Sequence, residues 1–274
     1  MKIKIATWNV NSIRSRLPNF IEWVEESKPD IVCIQELKCE EHNIPKVELE
    51  DLGFNVVANA QKAYNGVAIL SKFPMEDVKK DLPSYGIDSD DKEARYLEAV
   101  INVEKKVIRV ASVYVPNGAQ ELLPGQKVNE TKRFEYKMRF FDRLNKRFQE
   151  ILKYDEMGFF CGDYNVCPEI FDMYSPKKDG DVTCHIDERK RFRTLINAGM
   201  VDTFRAKNPD KQEFTWWDYR TKGWENHRGL RLDHILSTPM GIDKVKSCGV
   251  ESKETRGKPK PSDHAPVVCV VEIA

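Results

Sequence analysis

The chain has 274 residues, 41% hydrophobic and 32% charged, the composition of a soluble globule long enough to bury a core without covalent staples. Lys plus Arg and Asp plus Glu number 44 each, so a formal net charge of zero excludes a protein that coats polyanions by bulk charge, though not one with a local basic face. Seven cysteines with no CxxC spacing exclude a structural zinc; with no apolar signal core in "MKIKIATWNV" and no run of membrane-spanning length, they predict a cytoplasmic protein without a membrane partner.

The first residues alternate, Ile3, Ile5 and Thr7 against Lys2, Lys4 and Ala6, which predicts a strand running into "WNVNS". Leu17, Phe20, Ile21 and Val24 then follow helical spacing, with Pro18 tolerated in a first turn. "DIVCIQE" is a short β-branched apolar run, the pattern of a buried strand, and it delivers Glu36 at its C-terminal end. "GVAILS" (Gly66–Ser71), "YLEAVINV" (Tyr96–Val103) and "VIRVASVYV" (Val107–Val115) predict further strands. Between Asn129 and Tyr154 the period changes: Phe134, Met138, Phe141, Leu144, Phe148 and Ile151 step by three or four. This predicts the longest amphipathic helix, with its Lys and Arg residues on the opposite face. "MGFFCGDYN" reads as a strand emptying into a polar loop, Ser175–Cys184 as a polar surface loop, and Arg189–Ile196 as helical. "EFTWWDYR", "RLDHILS" and "APVVCVVEI" are strand-like. Strands and helices are mixed, acids recur at strand ends, and no repeat or linker divides the chain. Residues 1–274 are therefore expected to form one α/β domain.

Five stretches, "WNVNS", "QELK", "GDYN", "RLDH" and "SDHAP", set Asn, Asp, Glu or His just after or beside a strand. One such stretch alone reads as a turn or a cap. Five together predict a site, because unrelated turns seldom all present groups that suit a metal or a phosphate. A hard divalent cation takes oxygen ligands, often one or two carboxylates with water and substrate phosphate. Glu36 is the first candidate ligand, and Asn9, Asp163, Asn165 and Asp263 complete its surroundings. Asp233 and His264 are expected to pair, the acid orienting an imidazole that contacts a phosphate. Arg14, Lys38, Arg220, Arg228, Arg231, Lys258 and Lys260 flank these stretches and are candidates for phosphate contacts without sequence readout. The "ERKRFR" run (Glu188–Arg193) reads as a helix face, and His185 as a surface or packing residue.

In order along the chain, "TWNVNSIRSR", "PDIVCIQELK", "YVPNG", "GDYNV", "MVDTFR", "FTWWDYR", "RGLRLDHIL" and "PSDHAPV" resemble the exonuclease III family of apurinic/apyrimidinic endonucleases, within the endonuclease/exonuclease/phosphatase superfamily. The resemblance runs from Lys2 to Val271. It implies a deoxyribonuclease I-like α/β (α+β) fold, a four-layer sandwich of two mainly antiparallel β-sheets flanked by helices, with the site at one end where strands of both halves meet. It implies Mg2+ as cofactor, with Mn2+ as a substitute, held by Glu36 and Asn9 with Asp163, Asn165 and Asp263 close by. Asp163 is assigned to activating the attacking water, with Asn165 beside it. Tyr114 is assigned to the scissile phosphate, Asp233 to orienting His264, and Asn117 to a phosphate contact. Trp216, Leu230 and Leu232 match positions lining an apolar pocket for a baseless deoxyribose flipped from the duplex, and Arg231 lies among them as a substrate contact. Flipping costs least at a damaged nucleotide, so a pocket too small for an intact base would select abasic sites without reading sequence.

The implied activity is a metal-dependent DNA repair nuclease that cuts 5′ to abasic sites and trims 3′ ends. Its implied partner is duplex DNA, bound by a monomer. The alternative is a phosphoesterase of the same fold acting on RNA or a small phosphorylated substrate, because fold does not fix function. The "WWDYR…GLRLD" segment argues against it. Retention of Glu36, Asp163, Asn165 and His264 argues against a non-catalytic DNA-binding protein. Segments 117–128 and 172–187 match the family pattern least, and in that family such loops shape the DNA groove.

Overall fold

The computed structural model of the chain describes residues 1–83, 86–88, 90–119, 121–175, 181–256 and 258–273. The first half runs β1 (Lys2–Asn9), α1 (Ile13–Ser27), β2 (Ile31–Gln35), α2 (Lys46–Asp51), β3 (Asn55–Asn59), β4 (Val67–Ser71), β5 (Met75–Lys80), β6 (Tyr96–Val103) and β7 (Lys106–Tyr114). The second half runs α3 (Lys132–Ile151), β8 (Gly158–Asp163), α4 (Ile186–Asn197), β9 (Val201–Asp202), α5 (Thr203–Lys207), β10 (Trp216–Trp217), β11 (Gly229–Leu230), β12 (Asp233–Ser237), α6 (Pro239–Ile242), β13 (Val245–Val250), α7 (Ser252–Arg256) and β14 (Val267–Glu272).

The strands form two six-stranded sheets, ordered β13-β14-β1-β2-β4-β3 and β5-β6-β7-β8-β12-β9, with β10–β11 as a separate ribbon. Each large sheet contains one parallel pair, β1–β2 and β7–β8, and these are the two places where a long helix connects neighbouring strands. A parallel pair needs such a crossover, whereas antiparallel neighbours need only a turn. The remaining pairs are antiparallel, so the mainly antiparallel sandwich is the observed fold.

Strand alternation explains the layering. Ile3 and Ile5 of β1, with Ile31 and Cys33 of β2, join residues of β6, β7 and β8 in the core between the sheets. Ala6, Trp8, Val32 and Ile34 point the other way, where they meet Phe20 and Trp23 of α1. Both faces of β2 are therefore buried, which is why "IVCIQ" is apolar without alternation. On the second sheet Ala111, Val113 and Phe160 face outward against Phe134, Phe141, Leu144 and Phe148 of α3. Helix, sheet, sheet and helix make the four layers.

Several expectations need adjustment. β3, β5 and β13 are strands the alternation did not reveal, and "EFTWWDYR" contributes only the two residues of β10. In α3 the basic residues do not all lie opposite the apolar stripe: Lys137 and Arg143 are buried. Arg143 is sequestered by the carbonyls of Leu82 and Pro83 and by Asp91. His185 packs, as one reading had it, and its ring lies 4.9 Å from that of Phe134. Within the expected loop Ser175–Cys184, residues 176–180 lie outside the described residues, and residues 182–184 form a turn leading towards α4.

Candidate active site

Register builds the site. Tyr114, Asp163 and Asp233 are direct partners across β7, β8 and β12, so three polar side chains stand in one row at the end of the second sheet. Gly162 permits this row. A Cβ there would lie 1.8 Å from the Val113 carbonyl oxygen, so only glycine lets β8 approach β7 next to Asp163. From the first sheet Asn9 closes β1, and Glu36 follows β2. Asn9 crosses the seam between the sheets: its Nδ2 donates to Glu36 Oε1 (2.9 Å) and to Asp163 Oδ2 (3.0 Å). Tyr114 crosses it too, its hydroxyl donating to Glu36 Oε1 at 2.8 Å.

His264 reaches the row from the turn before β14. Its Nδ1 lies 2.8 Å from Asp233 Oδ2, and its Nε2 lies 3.7 Å from Asp163 Oδ2. The backbone of that turn is tied down. Trp8 Nε1 donates to the His264 carbonyl, Ser262 Oγ donates to Asn9 O (2.7 Å), and Ala265 N donates to Thr215 O. Burial opposes the imidazolium, but the carboxylates of Asp233 and Asp163 outweigh it and hold His264 up at about 10. Burial pushes Asp163 up to about 7 despite the nearby imidazolium. Glu36 is held below the usual carboxylate range: burial raises it, and Lys38 with the Asn9 amide more than reverses that. Burial, with Glu36 and Asp163 beside it, keeps the Tyr114 hydroxyl protonated and a donor.

The two asparagines form a second unit. Asn117 Nδ2 donates to Asn165 Oδ1 at 3.0 Å, and Asn165 Nδ2 donates to Val115 O at 2.9 Å. The Asn165 backbone N–H donates to Asp163 Oδ1, which ties this unit to the row. Asn11, Ser12, Glu36, Lys38 and Asn165 all have φ between +47° and +86°, in the left-handed region. Such conformations cost about 1–2 kcal/mol for ordinary residues and persist where the surroundings over-determine them.

A cavity of about 370 Å³ opens onto these groups. Ten of the thirteen residues that the family resemblance assigns to the site line it: Glu36, Tyr114, Asn117, Asp163, Asn165, Trp216, Leu230, Leu232, Asp263 and His264. Asn9 and Asp233 stand behind them and orient them. Both oxygens of Asp263 are engaged, accepting from Asn11 Nδ2 (2.9 Å) and Trp216 Nε1 (3.0 Å), so it aims the indole at the apolar end of the cavity. Arg231 is a correction. It is 1% exposed and points away from the cavity into an ion cluster with Asp172 (2.7 Å) and Asp202 (2.8 Å). Of the other flanking cations, Arg220 lines the cavity, Lys38 pairs with Glu36, Lys258 pairs with Glu22, and Arg14, Arg228 and Lys260 are exposed.

Sequence reasoning missed Asn11, Ser262, Thr215, Val182, Thr183 and Lys137. Asn11 and Ser262 stood inside quoted motifs, where a second polar residue in the same turn was the available signal. Val182 and Thr183 carried none.

The donor set suits a hard divalent cation. Glu36, Asp163 and Asp263 line the cavity with carboxylates, Asn117 and Asn165 line it with amides, and no cysteine is among the described lining residues. Ligand atoms of Asp163, Asp233 and His264 lie within 4.8 Å of one another. Asp233 Oδ1 is buried without a hydrogen-bond partner, as an atom that takes a water or cation would be. Lys38 Nζ sits 2.5 Å from Glu36 Oε2, where positive charge is favoured.

The sequence matches the Endonuclease/Exonuclease/phosphatase family over residues 6–264. It is 29% identical to exodeoxyribonuclease III of Haemophilus influenzae, covering 97% of this chain and 98% of that protein. Among solved structures it resembles an AP endonuclease from Archaeoglobus fulgidus (37% identity, TM-score 0.87, 99% of this chain and 100% of the other). It also resembles a 3′ phosphatase from Neisseria bound to product DNA hairpin (32% identity, TM-score 0.88, the same coverage). With two stacked sheets, an acid–histidine row at their seam and matches along nearly its whole length, the chain belongs to the endonuclease/exonuclease/phosphatase family, on the branch of exodeoxyribonuclease III and the AP endonucleases.

Proposed function

We propose that the chain hydrolyses phosphodiesters of duplex DNA, cutting 5′ to abasic sites and removing nucleotides or blocking groups from 3′ ends, with Mg2+ as its cofactor. One observation carries the reading. Tyr114, Asp163 and His264, with Asp233 behind them, share a single cavity with the apolar wall of Trp216, Leu230 and Leu232. Hydrolytic groups thus sit next to a surface suited to a deoxyribose ring without its base. The relatives named exodeoxyribonuclease III and AP endonuclease support the same substrate class.

Glu36 and Asp163, bridged by Asn9, are the residues that would hold Mg2+, and the ion when bound would supply positive charge against the phosphoryl oxygens. Asp163 accepts a proton from the attacking water. The charged His264, the Tyr114 hydroxyl and the amides of Asn117 and Asn165 face the oxygens on which charge develops. In-line attack on phosphorus breaks the bond to the upstream O3′, which takes a proton from solvent, leaving a 3′ hydroxyl and a 5′ phosphate on the abasic residue. The reading also takes the protein to act in a reducing cytoplasm, consistent with seven buried thiols. In the described residues no helix is long and apolar enough to cross a membrane.

The deciding assay incubates the protein with a duplex carrying one abasic-site analogue and with an undamaged duplex, in Mg2+ or in chelator. Cutting at the lesion in Mg2+ alone is the expected result. Inactivity on both duplexes across divalent metals, with turnover of RNA or a small phosphate ester, would transfer the site to the alternative substrate class.

A further inference from the structure

Lys137 lies on the apolar stripe of α3, three residues after Phe134 and four before Phe141, and it is fully buried. Its ammonium donates to the Asn165 carbonyl (2.7 Å) and the Asn117 carbonyl (3.1 Å) and pairs with Glu188 Oε1 at 2.6 Å. Both charged side chains have no solvent exposure. An ammonium carries three donors and no acceptor, so every proton is used. A buried ion pair of this kind is a poor source of stability, because desolvation offsets its attraction. It calls for another reason.

The two carbonyls supply one. They belong to Asn117 and Asn165, the residues whose side chains meet inside the cavity at 3.0 Å. The two loops come from different connections, after β7 and after β8, and among the described residues no strand pairing joins them beyond those ends. Asn165 has φ +50°, which turns its carbonyl inward where it needs a buried donor. Gly118 has φ +83°, and a Cβ on it would lie 2.9 Å from Lys137 Cδ, so the first loop rests directly on the lysine stem. Glu188, in the first turn of α4, supplies the counter-charge and also accepts from the His185 N–H.

We infer that Lys137 is a positioning residue, whose buried ammonium clamps the Asn117 and Asn165 loops so that both amides are fixed at the scissile phosphate, while Glu188 serves only to hold the charge there. Lys137 touches no substrate. The inference rests on the nuclease reading of this cavity. Amides fixed before reaction stabilise developing charge without reorganising, and a shift of about 1 Å in such a group costs on the order of 100-fold in rate.

The test separates charge burial from positioning. Lys137→Met with Glu188→Gln removes both charges together and leaves no buried ion unpaired. Glu188→Gln alone removes the counter-charge but keeps the ammonium on both carbonyls. For the double variant we expect Tm within about 4 °C of the unmodified protein, KM for the abasic duplex within about threefold and kcat lower by about 10-fold or more. For Glu188→Gln alone we expect a lower Tm and kcat within about threefold. The side-chain amide resonances of Asn117 and Asn165, read by 15N NMR without substrate, should be single in the unmodified protein and broadened in the double variant. Unmodified kcat and sharp amide resonances in the double variant would overturn the clamp. So would kcat tracking Tm in both variants, or a double variant that does not fold, since the pair would then be structural. If the unmodified protein fails to cut the abasic duplex, the nuclease reading falls, and the amide resonances still decide the clamp.

Discussion

At the scale of single residues the site is a set of polar groups kept in costly surroundings. Asp163 is 1% exposed, and burial holds its carboxyl up at about 7. An acid whose folded value lies above its unfolded value loses stability as pH rises through the window between them. Asp163→Asn never ionises, so in chelator at pH 8 its Tm should equal or exceed that of the unmodified protein. Turnover should fall by roughly 10²–10⁴-fold, the range for a general base. A variant that melts earlier, or cuts at the unmodified rate, would contradict the assignment. Trp216 is aimed by Asp263 at the apolar end of the cavity. Trp216→Ala should slow abasic-site cleavage by about 10-fold, about 1.4 kcal/mol, with a smaller loss on simple 3′-end removal; equal losses in the two assays would deny it a pocket role. Glu36 and His264 were legible because each sits in a polar turn after or before an apolar run, and Asp163 because it is the polar residue that ends the apolar strand β8. Arg231 was misread because its acids lie 59 and 29 residues away, and a cation between two pocket residues looks the same in sequence whether it faces DNA or the core. Lys137 left a trace in its place on an apolar stripe.

At the scale of elements, legibility followed burial. β1, β2 and β4 are read easily because their side chains are almost all inside, whereas "MEDVKK" of β5 is an exposed edge strand with one hydrophobic residue at its start and another midway. Edges are charged to discourage pairing with other chains, which erases the pattern that would reveal them. The pocket wall depends on an element-level tie of this unpatterned kind. Arg231, between Leu230 and Leu232, is held by Asp172 from the loop after β8 and by Asp202 at the end of β9. Burial raises both carboxyls, but Arg231 and His234 outweigh it and hold them below the ordinary aspartate range. Depressed acids contribute stability that is complete above the unfolded value of ~3.9 and is lost as pH falls below it. Asp202→Asn should therefore cost roughly 3–5 kcal/mol at pH 7, and the gap to the unmodified protein should narrow as pH falls below about 4. Urea melts at pH 7, 5, 4 and 3 would measure it. A gap that stays constant across that range would mean the carboxylate charge is not what holds the loop.

At the scale of the whole molecule, the catalytic row belongs to one sheet, while Asn9, Glu36 and His264 come from the other, so the site exists only while the sheets stay packed. The C-terminal strand is central to that packing. β14 lies between β13 and β1, pairing with both, and its Val267, Cys269 and Val271 enter the core between the sheets. His264, just before it, contributes a side chain to the row and, through its carbonyl, an acceptor to Trp8. Fold and function therefore separate by a few residues of sequence. A chain ending before Pro261 leaves the edges of β1 and β13 unpaired and opens the inter-sheet core. It should be insoluble, or lack a cooperative thermal transition by far-UV circular dichroism. His264→Ala keeps every strand and the Trp8 acceptor, so it should still melt cooperatively in both circular dichroism and Trp fluorescence, at a lower temperature because the buried Asp233 and Asp163 lose their counter-charge. Its turnover should fall by roughly 10²–10⁴-fold. Coincidence of the two probes also tests whether both halves form a single domain, since Trp fluorescence reports on the α1 face of the first sheet (Trp8, Trp23) and on the β10–β11 ribbon (Trp216, Trp217, Trp224), while circular dichroism averages over both sheets. Two separated transitions would show that the halves unfold independently and that a packed seam is not what assembles the site. A truncated chain that melts cooperatively would show that the C-terminal strand is dispensable to the sheet it now completes.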